Sequence, residues 1–112
     1  MKRLKRRYLA LSLDAISAPS EREFVDGVWA TITRLFGEYG ASLANLVLID
    51  YNSEHKSAVI RVNLVALEIA RTALAAITSI GGKEAAVHVQ TISGTLKALR
   101  QKTSAEQSAK RL

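Results

Sequence analysis

The hydrophobic pattern of this chain changes its period several times, and that switching limits the possible folds more than any single residue does. In "YLALSL" (residues 8–13) Leu9, Leu11 and Leu13 alternate strictly with Tyr8, Ala10 and Ser12. A period of two predicts a strand with one face on a core. In "APSEREFVDGVWATITRLFGEYG" the period lengthens. Pro19 precedes Ser20 and Glu23, which are spaced as a capping box, and Phe24, Val25, Val28, Trp29, Ile32, Leu35 and Phe36 recur at helical spacing. A helix is expected from Ser20 to Phe36, with Gly37 and Gly40 available to end it and the aromatic side chains in its core stripe.

The short apolar "ANLVLIDYN" predicts a second strand, joined through the turn residues "NSEHK" to a third, "SAVIRVN". A second helix is expected from Val65 to Ile80, with Ala66, Ala70, Ala73, Leu74 and Ile77 on one face and Gly81-Gly82 as its end. "EAAVHVQTI" predicts a fourth strand, and "TLKALRQK" a short helix with Leu96 and Leu99 inward. Residues 1–102 read as one domain, and the polar 103–112 as a flexible tail. The order β-α-β-β-α-β-α predicts an α+β, ferredoxin-like (RRM-like) sandwich with an antiparallel four-stranded sheet and an extra C-terminal helix. In that topology the first strand is central and the fourth lies beside it, antiparallel. The start of one meets the end of the other.

That geometry gives the charge distribution a meaning. The net charge of +6 is unevenly placed: residues 1–7 carry +5, residues 8–96 carry −3 and residues 97–112 carry +4. Lys2, Arg3, Lys5, Arg6 and Arg7 form one basic end, and Lys97, Arg100 and Lys102 lie on the helix at the other. The topology brings both to the same end of the sheet, as one surface suited to a polyanion. Between the fourth strand and this helix stands Ser93-Gly94-Thr95. A Ser or Thr there caps free backbone N–H groups, and Gly94 lets another backbone, such as a phosphodiester, come close.

Several chemistries have no support. With no cysteine, disulfides, thiolate nucleophiles and cysteine-bound zinc are excluded. Ser93 lacks a nucleophile elbow. The imidazoles are His55, in the hairpin turn, and His88, which alternates with Val87 and Val89 and reads as a partly covered structural histidine. The carboxylates show no metal-ligand spacing, and Glu21, Glu23 and Asp26 suit the first turns of a helix. The N-terminus imitates a secretory signal, but its apolar stretch from Tyr8 to Leu13 is shorter than the ~7–15 residues such signals need. No apolar run approaches the ~20 residues of a membrane span. A cytoplasmic protein without an autonomous active site is expected. An RRM-type interface needs aromatics on the open sheet face; the third strand has none, and Tyr8 is the candidate on the first.

Taken together, "RRYL", "LFGEYGA", "AVIRV", "ALAAITSIGG" and "VQTISGTLKALRQK" resemble the ribonuclease P protein component 2 family, over residues 5 to 102. The resemblance implies a non-catalytic subunit of a ribonucleoprotein endonuclease that removes 5′ leaders from precursor tRNA. The RNA would be the catalyst and would carry the magnesium, with no cofactor on the protein. Implied partners are ribonuclease P RNA, a TIM-barrel-type protein component 3, precursor tRNA as the holoenzyme's substrate, and a second copy within a heterotetramer. No membrane is involved. Arg3, Lys5, Arg6, Arg7, Lys97, Arg100 and Lys102 are expected to contact phosphates, with Arg61 as an addition and Ser93, Gly94 and Thr95 at the junction. A ferredoxin-like regulatory module for a small molecule and a pure protein-interaction subunit are the alternatives.

Overall fold

A computed structural model describes residues 5–110, with side chains from 5 to 103. Strands β1 (Arg6–Asp14), β2 (Val47–Asn52), β3 (Ser57–Asn63) and β6 (Ala86–Ser93) form one antiparallel sheet in the order β2-β3-β1-β6. Helices α1 (Glu21–Ala44) and α2 (Leu67–Ala76) cover one face, and α3 (Leu96–Lys110) packs on β1 and β6. This is the expected α+β sandwich, with β1 central.

The core lies between the sheet and the first two helices. Leu9, Leu11 and Leu13 of β1 and Ala58, Ile60 and Val62 of β3 meet Phe24, Val28 and Ile32 of α1 and Ala70, Ala73 and Leu74 of α2. Alternation on the strands and a 3.6-residue stripe on the helices put these residues on facing surfaces. The alanines of α2 let it approach closely.

The entry to α1 is a complete capping box. The Glu23 amide donates to Ser20 Oγ (3.1 Å), and the Ser20 amide donates to Glu23 Oε1 (3.0 Å). Ser20→Ala should lower stability by about 1 kcal/mol at neutral pH, measured by urea unfolding; an unchanged midpoint would mean the cap is idle. The Ser20 backbone amide, followed by its side chain, holds the Glu23 carboxyl below its ordinary value of 4.5. This stabilisation is therefore present above pH 4.5 and is lost as pH falls through the lowered native value.

Three element boundaries differ from expectation. First, α1 does not stop at Phe36. Its backbone leaves helical geometry at Gly37 (φ 75°, ψ 178°) and then resumes, ending only where Asn45 adopts the left-handed conformation. A residue with positive φ kinks the helix, but Ala41 and Ala44 restore a buried face beyond it. Leu35 and Phe36, just before the kink, are 42% and 38% exposed, so Phe36 lies outside the core stripe.

Second, the predicted helix over 65–80 is shorter. A 3-10 turn (Leu64–Ala66) leads into α2, and Ile77 is already extended. Ser79–Ile80 (β4) then pairs with Lys83–Glu84 (β5), and Gly81 and Gly82, with φ of 60° and 80°, form the turn between them. Two consecutive positive φ values are what a tight hairpin needs, so the Gly-Gly pair closes a ribbon instead of ending a helix.

Third, α3, expected over residues 95–102, continues through "TSAEQSAK" to Lys110. The segment lacks Gly and Pro and contains good helix formers. Residues 111 and 112 lie outside the described residues.

Candidate nucleic-acid interface

The strand registers join the two basic segments. Arg6 pairs with Asn63 of β3, and Tyr8 pairs with Ser93, the last residue of β6. The Leu64 amide donates to the Lys5 carbonyl at 2.8 Å, tying the start of the arm to the segment after β3. Arg7 reaches the junction itself: a Cβ built on Gly94 would stand 3.5 Å from Arg7 Nη1. The guanidinium of the N-terminal strand thus lies in van der Waals range of the β6–α3 turn at Gly94. That guanidinium also donates to the Arg6 carbonyl at 2.9 Å.

From this junction α3 begins with a cap. The Ala98 amide donates to Thr95 Oγ1 at 3.1 Å, and the Leu99 amide to the Thr95 carbonyl. Leu99, at 0% exposure, anchors the helix on the sheet face opposite α1 and α2, where Ala10 and Thr91 are also buried. Lys97, Arg100 and Lys102 stay exposed. The Lys102 ammonium donates to the Ile92 carbonyl at 3.3 Å, which holds the helix back against the end of β6.

The basic side chains of the two terminal segments gather at one end of the strand axis. Lys5, Arg6, Arg7, Lys97, Arg100 and Lys102 occupy the end where β1 starts and β6 finishes. The far end is mixed: Asp14 at the close of β1, Glu54 in the β2–β3 turn, Glu84 of β5, and Glu21 and Glu23 of α1 stand there with Arg22, Lys56 and Lys83. Among the described residues the ion pairs are Arg22–Asp26 (3.7 Å) and Glu68–Arg71 (3.4 Å). None of the six basic side chains has a carboxylate partner there. A cluster of uncompensated cations at one end is a surface that gains by meeting phosphates.

Other expected site residues fall differently. Ser93 is 6% exposed, so its side chain is withdrawn from the surface and Gly94 and Thr95 alone present the junction. Arg61 lies away from the cluster on the open sheet face, half-exposed between Tyr8 of β1 and Val47 of β2. Arg3 lies outside the described residues. His88 sits opposite Ser12 on the open face and is exposed, not partly covered; His55 is exposed in its turn, where its amide donates to Asn52 Oδ1. Among the described residues no three metal-ligating side chains converge. Sequence reasoning missed the exposed apolar surface of Leu35, Phe36 and Tyr39 on α1, because helical spacing alone does not register the kink at Gly37, and that of Val65 in the 3-10 turn.

Comparison with known proteins agrees with this architecture. The fold superposes on a chain of yeast ribonuclease MRP with a TM-score of 0.69 over 100% of this chain and 99% of that one; at 15% identity the likeness is one of fold. Ribonuclease P protein component 2 of Pyrococcus abyssi is 30% identical over 98 residues, 88% of this chain and 83% of that protein. The protein of the same name from Methanosarcina mazei is 31% identical over 100 residues, 89% and 84% of the two chains. The model of the Rpp14/Pop5 family matches residues 7–104, from Arg7 of the basic arm through the sheet to α3, and the chain belongs to that family.

Proposed function

We infer that this chain is a protein subunit of a ribonuclease P ribonucleoprotein, acting in removal of 5′ leaders from precursor tRNA. Family membership and relatives named as ribonuclease P protein component 2 support the assignment. The observation that carries the RNA-binding role is the seating of Arg7 on Gly94, which makes one basic surface from two distant segments. In this reading the protein binds and supports the RNA by phosphate contacts from Lys5, Arg6, Arg7, Lys97, Arg100 and Lys102, extended by the arm that carries Arg3. The RNA performs the cleavage and carries the magnesium, in the cytoplasm.

The assembly also needs protein contacts. A TIM-barrel-type component 3 and a second copy of this chain, together a heterotetramer, are the partners proposed. Tyr39, 80% exposed, and Val65, 69% exposed, supply apolar surface of the kind protein partners cover, on two elements that touch. The same patch favours the second reading, a protein-interaction subunit whose basic ends only solubilise it.

Affinity-tagged full-length chain mixed with a ribonuclease P RNA should retain that RNA through washing, and adding it with component 3 should raise the rate of precursor-tRNA cleavage. If the RNA washes away and cleavage is the same with and without the chain, the subunit assignment is wrong. Capture of component 3 without any RNA retention would favour the second reading.

A further inference from the structure

Helix α3 covers only part of the open sheet face. It rests on β1 and β6, where Ala10, Thr91 and Ser93 are buried. The β3 and β2 half is different: Val59 and Arg61 of β3 and Val47 of β2 are only half-buried. Tyr8 sits at the seam, paired with Arg61 on one side and with Ser93 on the other, and is itself half-buried. The Arg61 guanidinium has no carboxylate partner among the described residues. A half-buried cation without a counter-ion retains a desolvation cost that an anionic ligand would offset.

We propose that this strip holds one unpaired nucleotide of an RNA strand, its base stacked on Tyr8 and its phosphate on Arg61. The proposal rests on the RNA-binding reading above and adds to it a preference for single-stranded RNA. Phosphate contacts at the basic end need no unstacked base and are open to either form. An aromatic ring is not indifferent: only an unstacked base offers it a free face, and sequence-tolerant stacking of this kind is how sheet surfaces take single strands.

The surrounding charges set the direction of the strand. Arg6 lies two residue pairs beyond Tyr8 toward the basic end, opposite Asn63, so phosphates on that side run into the cluster. Asp50, paired with Val59, is exposed on the other side and repels the backbone there. Val47 and Val59 form an apolar floor on which the sugar and base edge can rest. Both are β-branched and stiff, so little side-chain freedom is lost on contact.

The test uses the full chain with two fluorescent probes, an octauridine strand and a fully paired RNA duplex of equal length. Tyr8→Ala should weaken octauridine binding on the order of ten- to a hundred-fold while leaving the duplex unchanged. Tyr8→Leu, which keeps apolar bulk in the strand but has no π face, should lose as much. Tyr8→Phe should bind like the native protein. Arg61→Gln should reduce the salt slope for octauridine by about 0.7. If Tyr8→Leu binds octauridine normally while Lys97→Gln with Arg100→Gln weakens both probes, stacking is refuted and the basic interface stands. If the native chain binds neither probe, the RNA-binding reading falls together with this one.

Discussion

Replacing Lys5, Arg6, Arg7, Lys97, Arg100 and Lys102 together by glutamine should flatten the salt dependence of RNA binding by about four to five units of log K against log salt. Each neutralised phosphate contact releases roughly 0.7–0.9 counterion, and six contacts account for the total. At low salt the affinity lost should be several orders of magnitude; at high salt, where screening already weakens the native protein, the two should converge. The loss should be similar for unrelated RNA sequences, because phosphates position a protein without specifying bases. Neutralising Arg22 and Lys83, which belong to α1 and β5 at the far end of the sheet, should leave the slope unchanged. Two of the six side chains also hold structure: Arg7 donates to the Arg6 carbonyl and Lys102 to the Ile92 carbonyl. Melting of the variant must therefore be measured alongside binding. An unaltered slope in a folded variant would remove the basic end from the interface.

Phe24→Ala should cost about 3–5 kcal/mol, the largest stability loss expected from one substitution here. The ring is fully buried and lies 5.4 Å from that of Tyr51, at 33° between planes. Tyr51 comes from edge strand β2, and its hydroxyl donates to the Pro19 carbonyl just ahead of the capping box. Phe24 thus fastens the first turn of α1 to the edge of the sheet, and its removal leaves a cavity that a short, capped helix start cannot collapse into. Burial pushes the Tyr51 hydroxyl's pKa up, with the Glu23 and Glu21 carboxylates adding to the shift, so this contact persists through neutral pH. Against a total stability of about 5–15 kcal/mol, a third or more would be lost. Urea unfolding of the two proteins measures it. A difference below about 1 kcal/mol would show that α1 is docked chiefly elsewhere along its length.

The parts of this protein legible in its sequence are those governed by local periodicity. Leu9, Leu11 and Leu13 alternate because a pleated strand points successive side chains to opposite faces, and all three are in the core. Ser20 and Glu23 announce a helix start because their side chains satisfy amides within the same turn, and both bonds are present. The connection order then leaves few topologies, and right-handed crossovers select the one observed. Elements that end by competition were less legible. Whether a glycine stops a helix, kinks it or turns a hairpin depends on how much the next segment of chain can bury. Gly37 interrupts α1 because Ala41 and Ala44 find a buried face beyond it; Gly81 and Gly82 turn a ribbon because Ile80 is drawn into the core.

The same division applies to the site. The sequence by itself determined that the charge is concentrated at two ends and that one strand–helix junction carries Ser-Gly-Thr. Only the tertiary structure decided that Arg7 lies on Gly94, that Ser93 is withdrawn while Thr95 caps α3, and that Tyr8 and Arg61 stand side by side on an open strip of sheet. The physical reason is range. Propensity, capping and alternation act over a few residues and can be read along the chain, whereas the pairing of residue 7 with 94, and of residue 8 with 61, exists only once strand register has brought them together.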